Sequence, residues 1–194
     1  MKTIFKQIPP ITKTLILLSI FFTVLNGYFG NINSELGLYQ FSNENFNLYQ
    51  ILTFSFCHAT DPYHLIYNCV YFLLFGILVE KMLGNKFLIL ILINIITQIV
   101  GVQFITTDTN FIGLSSILFS TITFLIFSKN NFDKLISFSL KLVLLLFIFD
   151  DCFSLIMMSL NNVSTPYFYT CYLHFLGVVS GFIFYIFTKI KKGV

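Results

Sequence analysis

The sequence predicts an all-α integral membrane protein, a single bundle of six spanning helices formed by residues 1–194. Three observations carry that expectation. The chain is 57% hydrophobic and only 10% charged, with a mean hydropathy of +0.87, well outside the range of soluble globular domains. Six apolar segments reach spanning length. The 11 basic residues, all lysine, recur in four groups that six spans would place on one side of a bilayer.

The segments run roughly Ile11–Phe29, His64–Leu83, Lys86–Ile105, Gly113–Ser128, Leu135–Met157 and Tyr167–Thr188. The first is long and no small-residue cleavage site follows it, so it reads as a retained helix and not a signal peptide. Lys2, Lys6 and Lys13 precede or open it, and Lys81 and Lys86 flank the second turn. Lys129, Lys134 and Lys141 flank the fourth, and Lys189, Lys191 and Lys192 close the chain. With both termini inside, every lysine is cytoplasmic. Glu35, Glu44, Asp61, Asp108, Asp150 and Asp151 then fall at or toward the outer face. The length leaves no room for a separate soluble domain.

After the first span comes a long outer segment, to about Tyr63. Its stretch Leu48–Phe56 carries no charge, which predicts that it lies partly in the interface, packed on the bundle. The second span opens with His64 and Asn68, four apart and so on one helical face. Polar side chains in a span usually face a bundle interior or a wet cavity; an interhelical packing pair is the plainer alternative. At its other end Glu80, beside Lys81 and Lys86, reads as a structural anchor. The third span is Leu and Ile with Asn94 and Gln98 as packing polars. The cysteines Cys57, Cys69, Cys152 and Cys171 have no paired spacing and read as small apolar filler, although three of them lie toward the outer face, where one disulfide could form.

The fourth span is short. Counting back from Ser128 at 1.5 Å per residue places Ser115 about 9 Å below the outer surface. The same count puts His174 of the sixth span about 8 Å down, Asn68 about 10 Å and His64 about 5 Å. Four polar residues from three spans therefore share one layer, and the loop before Ser115 must dip toward a protein-lined cavity. A serine hydroxyl becomes a nucleophile when a base accepts its proton, and histidine does so at neutral pH. Ser115 and His174 supply that pair. Asn68, His64 and the backbone N–H groups opening the fourth helix are donors for a developing oxyanion. No carboxylate is expected in this layer, so the chemistry reads as a Ser–His dyad. Gly177 and Gly181 begin one turn below His174 as a G-x-x-x-G pair, which lets helix backbones approach closely.

These residues resemble the signatures of the rhomboid intramembrane serine proteases: H-x-x-x-N at His64–Asn68, G-x-S at Gly113–Leu114–Ser115, and H-x-x-G-x-x-x-G at His174–Gly177–Gly181. Gly76–Glu80–Gly84 is similar to the family's G-x-x-x-E-x-x-x-G. The resemblance implies a six-helix rhomboid-like bundle with a short central fourth helix and a long first outer loop. Ser115 would be the nucleophile and His174 the base. His64, Asn68 and the Ser115 amide would form the oxyanion hole, with Gly113, Gly177, Gly181 and Phe119 as structural support. The fifth helix and the loop before the sixth would gate lateral entry of a substrate helix. The implied partners are transmembrane protein substrates and the lipid bilayer, with no nucleic acid. No metal or organic cofactor is implied. The implied location is a bacterial inner membrane.

Four positions depart from the family pattern. Ser116 stands where Gly is usual, which places a Cβ beside the nucleophile. Tyr49–Gln50 replaces a common Trp-Arg and leaves the packing of the outer segment open. His58 and His64 are one residue further apart than usual. Phe119 stands where Tyr is common, still able to stack on His174. The alternative within the family is a catalytically silent member that binds membrane clients. A transporter lacks support, since no inverted repeat is visible. A metalloprotease lacks H-E-x-x-H, and Cys57, His58, His64, Cys171 and His174 match no familiar zinc spacing.

Overall fold

The computed structural model describes residues 8–58, 62–105, 108–128, 134–160 and 166–190. Among these residues six long helices correspond to the six apolar segments, with ends within three residues of those expected. They are α1 (Pro10–Phe29), α4 (Pro62–Leu83), α5 (Phe87–Val102), α6 (Ser115–Phe127), α7 (Lys134–Leu160) and α8 (Pro166–Ile190). Two short helices, α2 (Ile32–Leu36) and α3 (Gln50–Thr53), lie in the outer segment. Pro10 occupies the first turn of α1, where its missing N–H costs nothing. Among the described residues no strand forms beyond a single bridge, so the all-α expectation holds.

The stretches Pro10–Phe29, Pro62–Val102 and Phe168–Ile190 are long and apolar enough to cross a membrane. The second of these folds back on itself. The rings of Phe72 and Phe87 stack with centroids 6.2 Å apart, whereas 15 residues of continuous helix would separate them by about 22 Å. The reversal occurs at the 3-10 turn Gly84–Lys86.

α6 is the centre of the bundle. Every residue from Ser116 to Leu125 is buried, and its contact with α8 is the most extensive in the molecule. Phe72, Phe87, Leu90, Leu114, Ile117, Ile122 and Phe184 form the innermost core. At the end remote from Ser115, the buried Glu80 carboxylate accepts the Ile11 amide at 2.8 Å and the Thr12 amide and hydroxyl at 2.7 Å. Glu80 is thus the anchor expected, acting as a charged cap on the N-terminus of α1. That contact gathers Lys13, Lys81 and Lys86 at one end of the bundle, and Lys189 joins α8's Tyr185 there, beside Phe127 of α6. Lys2, Lys6, Lys129, Lys191, Lys192, Asp61 and the side chain of Lys134 lie outside the described residues.

The outer segment packs on the bundle as its composition predicts. Leu38 pairs with Phe111 through two backbone bonds of 2.9 Å, and the Gly113 amide donates to the Phe54 carbonyl at 3.0 Å. The Asn110 side-chain amide also bonds the Asn33 carbonyl. Gln50 resolves the packing that Tyr49–Gln50 left open. Fully buried, it donates to the carbonyls of Glu35 and Asn45 at 2.9 Å and accepts the Asn47 amide at 3.2 Å. A neutral side chain therefore ties the loop together from within.

Candidate active site

Ser115 is the first residue of α6, and the loop before it is held from two sides. Gly113 has φ +125°, a conformation that side chains rarely adopt, and a Cβ there would stand 3.6 Å from Ser115 Oγ and 4.0 Å from His64 Cε1. The next residue, Leu114, directs its amide to His58 Nε2 at 3.5 Å. His58 Nδ1 in turn bonds the Phe56 carbonyl at 3.2 Å, so Nδ1 carries the proton and Nε2 accepts. Burial holds the His58 pKa down at about 4, which keeps it neutral. Sequence reasoning noted His58 only for its spacing. Its role as a prop for the Ser115 turn comes from tertiary contacts that spacing does not encode.

From α8, His174 Nε2 lies 2.9 Å from Ser115 Oγ, at hydrogen-bond distance. The Phe119 ring, one turn along α6, stacks on the imidazole with centroids 4.4 Å apart and planes 14° from parallel. The expected stacking is therefore present without the tyrosine hydroxyl. Asn68 is buried and donates its amide to His64 Nε2 at 3.2 Å, so the pair shares one face of α4 as its spacing predicts. The contact of His64 with the Gly113 position places that face beside the Ser115 turn.

One expectation is overturned. The layer does contain a carboxylate: Asp151 of α7 meets His174 Nδ1 through Oδ2 at 2.9 Å and Oδ1 at 3.1 Å. The reason is depth. α7 continues to Leu160, leaving Asp151 nine residues from its end, and His174 lies eight residues into α8 from Pro166. At 1.5 Å per residue both lie about 12–14 Å from those ends. Asp151 therefore stands on the far side of the imidazole from Ser115.

Ser116, the residue beside the nucleophile, is buried and hydrogen-bonds Asn94 Oδ1 of α5 at 3.1 Å. Asn94 returns a bond to the Ser116 carbonyl at 3.2 Å and donates to Ser180 Oγ at 3.0 Å; Ser180 donates on to Ser120 at 3.0 Å. This buried network joins α5, α6 and α8 behind Ser115, and Gln98 adds a bond to the Leu173 carbonyl at 3.0 Å. Gly177 and Gly181 face the α6 backbone. A Cβ on Gly177 would lie 2.5 Å from the Ser116 carbonyl oxygen and 3.0 Å from Phe119 Cβ, and one on Gly181 would strike the Ser120 carbonyl oxygen.

Cys57 and Cys69 are free thiols, and burial pushes the pKa of Cys57 up to about 12. Cys171 has its sulfur 3.6 Å from the Asp151 carbonyl oxygen. The Cys152 side chain lies outside the described residues.

A hydroxyl on a helix N-terminus, an imidazole at 2.9 Å and a carboxylate behind it form an arrangement suited to acyl transfer. A family profile for the Rhomboid domain matches residues 45–191 of this chain. No curated protein matches it.

Proposed function

The chain belongs to the rhomboid family of membrane proteins, and on that premise we propose that it is an intramembrane serine endopeptidase acting on transmembrane segments of other proteins. The observation that carries this reading is the 2.9 Å contact between Ser115 Oγ of α6 and His174 Nε2 of α8. Ser115 Oγ attacks the scissile carbonyl carbon while His174 Nε2 takes the hydroxyl proton. The resulting oxyanion is stabilised by the Ser115 amide at the N-terminus of α6 and by Asn68 and His64. As the intermediate collapses, the C–N bond breaks and the proton passes from Nε2 to the leaving amine. Water then attacks the acyl ester, with His174 again as base, and frees Ser115.

The lysine distribution supports a multi-pass protein with both termini cytoplasmic and Ser115 in the outer leaflet, and a bacterial inner membrane is the location proposed on the family resemblance. The test is fluorophosphonate labelling in liposomes together with cleavage of a transmembrane reporter. Wild type should label and cleave, and Ser115→Ala should do neither. A wild type that binds the reporter but neither labels nor cleaves would be a client-binding member of the family, and the protease reading would fall.

A further inference from the structure

Over its described side chains, helix α7 meets the bundle along one face. Among its described side chains, Val143, Leu144, Phe147 and Asp151 are partly buried, while Leu142, Leu145, Leu146, Phe149 and Asp150 are exposed. The partly buried positions recur at helical spacing and so form one line down one face. Phe147 packs on Phe119 at 5.5 Å and on Tyr71 at 5.1 Å. Asp151 comes one turn later and ends the line at His174, where both side chains of the pair are only 13–14% exposed.

We propose that Asp151 is a positioning residue that backs the Ser115–His174 pair and selects the working tautomer of the base. This role rests on the protease reading above and deepens it. An ionised carboxylate only accepts hydrogen bonds, so Asp151 requires a proton on His174 Nδ1. Nε2 is then left with its lone pair aimed at the Ser115 hydroxyl 2.9 Å away. When the imidazole takes the serine proton, the same carboxylate stabilises the imidazolium, and Asp151 itself gains no proton. The Phe119 stack fixes the ring plane and Asp151 fixes its rotation within that plane.

Asp151→Asn keeps the shape and removes the charge. It should lower kcat for a transmembrane reporter by roughly 10²–10⁴-fold with KM within about threefold. Asp151→Glu should recover at least about tenfold of the loss. A readout independent of turnover is ¹⁵N NMR of the three histidine rings. Wild type should show His174 protonated at Nδ1, and Asp151→Asn should shift it toward the Nε2–H form. Unchanged kcat together with an unchanged tautomer would overturn the assignment. So would a loss of kcat that only tracks a fall in Tm, with the tautomer intact, because Asp151 would then merely dock α7. If the tautomer shifts but neither wild type nor any variant cleaves, the positioning role stands and the protease reading fails.

Discussion

Ser116 donates its hydroxyl to Asn94 Oδ1 on α5 at 3.1 Å, while its neighbour Ser115 faces His174 on α8. Adjacent residues on a helix point about 100° apart, so only one of the two can meet the base. The residue that departs from the family pattern thus serves the scaffold behind the site, and its Cβ does not crowd the reacting atoms.

Ser115→Ala is therefore expected to abolish cleavage and labelling, whereas Ser116→Ala should keep turnover within a few-fold. Its cost should appear in stability. Losing the hydroxyl leaves buried Asn94 Oδ1 short of a donor, a penalty of about 1–2 kcal/mol. Thermal unfolding beside a cleavage assay checks both. Full activity in Ser115→Ala, or none in a folded Ser116→Ala, would reverse the assignment.

Asn68→Ala and His64→Ala test the oxyanion donors. Removing one such donor typically lowers turnover by roughly 10²–10³-fold, or about 3–4 kcal/mol. Both variants should lose that much kcat with Tm little changed. A variant that unfolds while its folded fraction retains full activity would mean that the 3.2 Å Asn68–His64 bond only supports packing.

What the sequence made legible follows from what helices fix. Rise per residue sets depth, so Ser115, His174, Asn68 and His64 could be placed in one layer before any contact was known. The small residues at Gly177 and Gly181 marked the close helix pair for the same reason. Depth counted from an outer end depends on where the helix stops, and α7 runs three residues past the expected Met157, so Asp151 reads as outer-face in the sequence but meets His174 in the structure. The outer segment was legible only as an apolar stretch. Its order depends on non-local bonds such as those of Gln50 and of His58 to Leu114, which no periodicity announces.

His58 makes the fold sensitive to acid. Its pKa is about 4 in the folded protein, against about 6.5 for an unperturbed histidine. Between those values the unfolded chain binds a proton that the native one does not, so stability is complete above about pH 6.5 and falls toward pH 4. The full loss is on the order of 3 kcal/mol. Thermal unfolding of Ser115→Ala at pH 7 and pH 5 should show the decline, and adding His58→Gln should flatten it. An equally steep decline without His58 would assign the effect to other groups.

The last prediction asks whether helix contact and chemistry are one device. Gly177 and Gly181 lie against carbonyl oxygens of α6, those of Ser116 and Ser120, so an added side chain meets backbone that cannot rotate aside. Valine at either position should push α8 from α6 by roughly an ångström or more. Because His174 sits on the same helix one turn above Gly177, the 2.9 Å contact with Ser115 would open by a similar amount. A misplacement of about 1 Å can cost about 10²-fold in rate. Gly181→Val should therefore insert into membranes yet lose most of its fluorophosphonate labelling, although Gly181 touches no substrate. Gly177→Val, nearer the base and also against Phe119, should lose at least as much. Ile183→Ala, at a position 45% exposed and about 200° round α8 from Gly181, should label almost normally. Full labelling in both valine variants would show that the glycine contact does not set the distance between Ser115 and His174.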